Sequence, residues 1–305
     1  MAENNATEQV KPRPNKFKIY MAFTKFRLSA LVILSALSGY WFAGGSNNLH
    51  VFFLMLGGLL VTAASNGANQ IWERNLDVLM KRTENRPLPQ GTMRIKEAYI
   101  IVIVSLIVGS YLLFSINVSS GILGLIAFVS YVFMYTPMKR ISPWAVLIGA
   151  FPGAIPPMLG AIAATDDFGL LPGVLFFVQF MWQFPHFWAI AWVLFDDYKA
   201  GGFSLLPSKG GRDKASAFQI LVYSLAMIPF SLLPWMLGWT GDLTLYIAAL
   251  ASLAFFLCAY RLFISCETAD ARKLMFASFV YLPVVQFLYV LDRTEFLDIF
   301  LNQTN

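Results

Sequence analysis

The chain has 305 residues, of which 58% are hydrophobic and 13% charged, and its formal net charge is +5. A soluble domain carries about 25% charged residues, so this chain has too little charge to coat a water-facing surface. Two cysteines, Cys258 and Cys266, exclude a disulfide framework and offer no metal-ligand spacing, and nothing in the modest basic excess calls for nucleic acid.

Residues 1–18 are polar and contain Pro12, Pro14 and several Asn, and 1–22 are expected to form a disordered cytoplasmic tail with no cleavable signal peptide. Nine apolar runs follow, roughly at 28–44, 50–70, 97–115, 118–136, 143–163, 170–194, 217–236, 241–264 and 272–291. Each can cross the bilayer's hydrocarbon, about 30 Å thick. Continuous rather than alternating hydrophobicity selects helices over strands. The expected fold is all-α: a polytopic membrane protein with nine transmembrane helices around a central cavity. The membrane domain spans 23–292, and a short non-cytoplasmic tail spans 293–305. Of the 22 Lys and Arg, 21 fall at alternate loops on one side and only Arg293 on the other. The positive-inside rule makes the basic side cytoplasmic, with the N-terminus inside and the C-terminus outside. That charge suits anionic lipid headgroups or a phosphorylated substrate arriving from the cytoplasm.

The second run ends in Asn69, Glu73 and Asp77, spaced i, i+4, i+8. On a helix these share one face, with about 6 Å of rise between successive members. Three oxygen-bearing side chains in a row suit a hard cation such as Mg²⁺, which often also binds substrate phosphates. Lys81, Arg82 and Arg86 follow, which makes sense if the ligand is Mg²⁺ with a diphosphate. The plainer alternative is a solvated helix end laced with salt bridges. The fifth run, with Pro152, Pro156, Pro157 and several Gly, is expected to be a broken helix, tolerated in a membrane where it packs tightly or lines a cavity. The sixth ends in Asp196, Asp197 and Lys199, on the same side as the first acidic cluster, as in a weak internal duplication. Higher on it, Gln179, Gln183 and His186 fall with Asp197 within an arc of about 60°. His186 is then about 15 Å of rise from Asp196. An ionisable residue at such depth is a functional candidate; the alternative is a hydrogen bond to a neighbouring helix. Pro185 is expected to kink the span. Trp182, Phe184, Phe187, Trp188 and Trp192 could line an apolar chamber or anchor the helix in lipid.

The segment Asn69 to Asp77, followed by Met80-Lys81-Arg82-Thr83 and Asn85-Arg86-Pro87-Leu88-Pro89, resembles the first signature of the UbiA-type intramembrane prenyltransferases. Trp182-Gln183-Phe184-Pro185-His186-Phe187-Trp188 and Asp196-Asp197-Tyr198-Lys199-Ala200-Gly201 are similar to the branch of that superfamily that acts on heme. Tyr135-Thr136-Pro137-Met138-Lys139-Arg140 and Tyr281-Leu282-Pro283 fit as well. The resemblance runs from about Phe23 to Asp292. There are two departures. Glu73 stands where the superfamily usually has Asp, and Val193 and Asp197 stand where it has two Asp four residues apart.

The resemblance implies farnesyl diphosphate and heme b as substrates, within the lipid bilayer of the bacterial cytoplasmic (inner) membrane. It implies Mg²⁺ held by Asn69, Glu73, Asp77, Asp196 and Asp197. Lys81, Arg82, Arg86, Lys139, Arg140 and Lys199 would add positive charge around the diphosphate, and Gln183 would contact substrate. Asp77, Asp197 and His186 are the expected catalytic residues, with His186 positioning the heme, ligating its iron or taking a proton from water. A downstream heme-modifying or oxidase-assembly protein is an expected partner. Rival readings are a prenyltransferase acting on a quinone precursor, which would not need the Pro185-His186-Phe187 segment, and a secondary transporter, which would need a site near the midplane.

Overall fold

A computed structural model describes residues 15–304, with side-chain surroundings up to residue 299, as an almost wholly helical chain. Residues 1–14 of the expected disordered tail lie outside the described residues. The rest of that tail is not irregular. Asn15 accepts a hydrogen bond from the Phe17 N–H at 3.0 Å and starts α1, Lys16–Phe23. The chain then bends by 51° into α2, Phe26–Phe42.

That bend is a built feature. Lys25 sits between α1 and α2 in the left-handed region, at φ 49°, which costs a non-glycine residue roughly 1–2 kcal/mol. The break also strips helix partners from nearby carbonyls, and in a bilayer each bare carbonyl costs several kcal/mol. Polar side chains of α3, Asn48–Asp77, repair the damage. Gln70 Nε2 donates to Phe23 O at 2.5 Å, and Asn66 Nδ2 donates to Thr24 O at 3.5 Å, joined by Ser29 Oγ at 3.1 Å.

The remaining elements follow the apolar runs: α4 Ile95–Phe114, α5 Val118–Val129, a π-helical turn Ser130–Tyr135, α6 Thr136–Met138, α7 Ala145–Thr165 and α8 Leu170–Val193. Then come α9 Phe195–Ala200, α10 Lys214–Ser231, α11 Leu233–Met236, α12 Asp242–Ser265, α13 Thr268–Leu291 and α14 Glu295–Thr304. Among the described residues, eight helices are long and apolar enough to cross a membrane, and the bent α1–α2 pair makes a ninth. The protein is a multi-pass membrane protein. Starts are set by short polar side chains: Asn47, Asn117 and Asp213 cap α3, α5 and α10 by accepting the N–H groups left bare at a helix start.

Helix α7 corrects one expectation. It is unbroken through Pro152, Pro156 and Pro157, and α8 likewise runs through Pro185. The small residues of α7 serve packing instead. A Cβ added at Gly160 would overlap the Ala36 carbonyl of α2, and one at Gly39 of α2 would overlap the Pro157 carbonyl. Backbone-to-backbone approach of this kind drives helix association in lipid, where no hydrophobic effect separates helix from solvent. Two apolar clusters result, one around α2 to α5, the other around α8 and α10 to α13, and α7 contributes to both.

The expected aromatic chamber is also redrawn. Trp182, Phe184, Trp188 and Trp192 are buried core residues, and Phe187 alone of the five is half-buried, with its ring 6.4 Å from that of Tyr135. Because α2 and α7 touch backbone to backbone, Gly160→Val is expected to destabilise the protein by about 1–3 kcal/mol through overpacking. Gly173→Ala in α8, which meets nothing within 4 Å, is expected to leave stability unchanged. Thermal unfolding of the two variants in detergent checks both.

Candidate active site

Helix α3 runs far enough past the apolar run to carry Asn69, Glu73 and Asp77 on one continuous face, and all three are buried. Buried carboxylates need charged partners, and each has one. Glu73 Oε1 pairs with Lys139 Nζ at 2.6 Å, and both side chains are under 10% exposed. Both oxygens of Asp77 accept from Arg86 Nη1 at 2.8 Å. Asn69 Nδ2 donates to Thr136 Oγ1 at 3.2 Å.

Lys139 and Thr136 arrive by way of the π-helical turn. π-turns recur at functional sites because one extra residue per turn re-aims the side chains. Here the Tyr131 carbonyl accepts both the Thr136 N–H and Thr136 Oγ1, the latter at 2.9 Å, and the turn sets Tyr131 and Tyr135 ring to ring at 5.3 Å. Lys139 Nζ lies 4.7 Å from the Tyr135 ring centroid and 5.6 Å from that of Phe203. Gly149 of α7 makes room for the Tyr135 ring, since a Cβ there would sit 2.6 Å from it.

The second acidic cluster meets the first. Asp197 Oδ2 accepts the Arg82 backbone N–H at 3.2 Å, and the Arg82 guanidinium lies 5.2 Å from the Tyr198 ring centroid. Met80 packs on Gly201. The loop after α3 is thereby fastened to α9. The loop after α9 reaches the same place, where the Ser204 N–H donates to Lys139 O at 3.3 Å. Its far end is pinned by Asp213, whose carboxyl is held below the usual carboxylate range chiefly by the Ser208 hydroxyl.

Several predicted residues lie elsewhere. Asp196 points outward, its side chain 80% exposed, and pairs with Arg212 at 2.9 Å. Arg212 is occupied in ending α8, donating to Trp192 O at 2.7 Å and Val193 O at 3.3 Å. Lys81, Arg140 and Lys199 are exposed and form no ion pair among the described residues. His186 is seated in the contact between α8 and α13. Its Nδ1 is 2.7 Å from Ser278 Oγ, and its ring stacks on Trp182 at 4.2 Å and meets the edge of Phe279 at 5.1 Å. This corrects the expectation that His186 opens into a cavity with Asp197. The shared helical face was right to α8's end at Val193, but α8 and α9 are separate helices broken at Leu194, so a single helical wheel does not link His186 to Asp197.

One residue was missed. Lys25, held at the α1–α2 break, brings its ammonium within the electrostatic reach of Arg86, Lys139, Glu73 and Arg82. A lone Lys ahead of an apolar run looks like a topology signal. The polar pair Asn66 and Gln70, one turn apart on α3, was the available hint that a break was being held there.

The oxygen donors on α3 and α9 have the hard-ligand chemistry that Mg²⁺ takes. Among the described residues no three Asp, Glu, His or Cys converge on one point, so the protein builds no closed metal cage. Mg²⁺ usually enters such sites on one or two carboxylates together with substrate phosphates. One or two of Glu73, Asp77 and Asp197 would meet that mode.

Solved structures share this arrangement of helices. One described as digeranylgeranylglyceryl phosphate synthase superposes with a TM-score of 0.75 at 19% identity, over 91% of this chain and 98% of the other. A UbiA homologue from Archaeoglobus fulgidus, bound to DMAPP and Mg²⁺, gives 0.67 at 14% identity, over 89% of this chain and 98% of the other. Residues 32–281 match the UbiA prenyltransferase family, and the chain belongs to that family. Among curated relatives, protoheme IX farnesyltransferase of Cytophaga hutchinsonii is 46% identical over 92% of this chain and 99% of its own length. Its counterpart from Christiangramia forsetii is 46% identical over 90% and 93%.

The Glu73–Lys139 pair makes a specific stability prediction. Lys139→Met leaves Glu73 buried and unpaired and is expected to cost about 3–5 kcal/mol. Adding Glu73→Gln should recover most of that loss without restoring activity. A double-mutant cycle read by thermal unfolding and turnover tests this.

Proposed function

We propose that the protein transfers the farnesyl group of farnesyl diphosphate to a vinyl group of heme b, with addition of water, giving heme o and diphosphate. The observation that carries this is the junction of the two acidic clusters at Arg82 and Asp197, which gathers carboxylates and cations over the Tyr135–Phe187 contact, in a chain with protoheme IX farnesyltransferases among its relatives. The chain is a prenyltransferase by family. The transporter reading needs a site near the midplane, whereas the acidic row runs to the last residue of α3.

In this reading Asn69, Glu73, Asp77 and Asp197 are the residues that would hold Mg²⁺, and the ion would supply positive charge against the diphosphate. Lys139 and Arg86, paired with Glu73 and Asp77, would add positive charge around it. Negative charge on the leaving group grows in the transition state, so preplaced cations stabilise that state more than the bound substrate. The breaking allylic C–O bond leaves a cation-like carbon, which the electron-rich vinyl group attacks. Tyr135 and Phe187 keep bulk water from that carbon until the new bond has formed. The protein would sit in the bacterial cytoplasmic membrane with its N-terminus in the cytoplasm, so that diphosphate enters and leaves on the basic side.

Two tests follow. With purified protein, heme b and farnesyl diphosphate, Mg²⁺ should be required for a heavier, more hydrophobic heme to form, and chelation should abolish it. Asp77→Ala and Asp197→Ala should each lower turnover at least about a hundredfold with the fold retained. Asp196→Ala, which loses only an exposed pair, should stay within about twofold. Near-normal turnover in either of the first two variants counts against a joint site. For orientation, reporter fusions at both ends should report the N-terminus inside and the C-terminus outside.

A further inference from the structure

The interior face of α8 carries three polar side chains, and two of them are committed. Gln179 Oε1 accepts from Ser35 Oγ at 2.7 Å and from Gln286 Nε2 at 2.6 Å, while its Nε2 donates to Gly153 O at 2.6 Å. His186 is bound to Ser278. Gln183, between them, is 5% exposed and makes no hydrogen bond among the described residues. Neither of its amide atoms is among the sealed, partnerless polar atoms of the described residues, so the amide keeps an acceptor and a donor pair free for a small molecule beside it. The surroundings also hold it in place. Its amide lies against Gly153, where a Cβ would come within 2.6 Å of Nε2 and 3.0 Å of Oε1, and the Gln179 bond fixes α7 against α8 at that level.

Gln183 stands one turn from Phe187, about 6 Å of rise, and Phe187 meets Tyr135 beneath Lys139. The proposed reaction needs a polar group at about this depth. The C–O bond of the diphosphate ester breaks with its electron pair on oxygen, and the terminal vinyl carbon bonds to the farnesyl carbon. Positive charge is left on the inner vinyl carbon. A lone pair of one water molecule closes that gap, and the released proton leaves with the diphosphate, the base that the reaction itself frees. The water must be held singly, and by a group that is not itself a competing nucleophile of appreciable strength. A neutral amide, one oxygen to accept and one N–H₂ to donate, meets both conditions.

We infer that Gln183 positions the water that captures the carbocation, a role earlier open to His186. The inference rests on the proposed reaction and is separable from it. Wild-type protein, heme b, farnesyl diphosphate and Mg²⁺ are incubated and the hemes separated by mass; if no prenylated heme forms at all, the reaction assignment fails. If it forms, Gln183→Leu is compared, with Gln183→Met as the alternative should the Leu variant not fold. The expected result is at least about a tenfold fall in the hydroxylated product relative to a prenylated heme lighter by one water, formed when the cation loses a proton instead. The KM for farnesyl diphosphate should stay within about twofold. An unchanged ratio of the two products, whether turnover is normal or slowed, overturns the inference.

Discussion

Glu73 and Asp77 lie one turn apart on one helix and are both shut off from water. At an effective dielectric constant near 20, two such charges about 6 Å apart repel by about 3 kcal/mol, before the larger cost of removing each from water. The fold around them is an answer to that problem. Lys139 comes from the π-helical turn and α6, Arg86 from the loop after α3, and each is locked by the carboxylate it neutralises. Once Lys139 is fixed, its carbonyl can receive Ser204. Once the α3 loop is fixed, Arg82 can present its N–H to Asp197. The charge pairing therefore holds together two loops from opposite halves of the chain. It also keeps cations beside the acids within the fold itself.

Much of this was legible in the residues, for physical reasons. Hydrophobic length reports membrane crossings directly, because a bilayer tolerates few alternatives. The i, i+4, i+8 row was legible because α3 continues as a helix to Asp77. The errors share a cause too. The prolines of α7 were read as breakers, yet α7 runs through them. In a membrane protein, packing partners can make good the lost hydrogen bond. His186 and Asp196 were placed by chemistry and position alone. Each found a partner that no local pattern announces: Ser278 lies 92 residues from His186, and Arg212 was needed to end α8. Lys25 stayed invisible because its role depends on a left-handed backbone, and a Lys is not the residue that such a conformation favours.

The π-helical turn shows how a one-residue irregularity can serve several needs. It sets Tyr131 and Tyr135 ring to ring at a tilt of 50°, supplies Thr136 to Asn69, and aims Lys139 at Glu73. A regular helix would rotate these side chains progressively out of step with α3. Aromatic rings next to the cation also suit a site that must host positive charge on carbon, since a ring face is electron-rich.

The break between α1 and α2 bears on how the chain enters the bilayer as it is made. The carbonyl of Phe23 receives its side-chain partner from Gln70, and that of Thr24 a second partner, beside Ser29, from Asn66; Asn66 and Gln70 emerge from the ribosome some forty residues later. Until then the first segment carries bare polar backbone that lipid would penalise. The first helix pair is therefore expected to wait at the aqueous interface and to settle only when α3 joins it, so that insertion of the amino-terminal segment and assembly of the acidic row are one event in biogenesis.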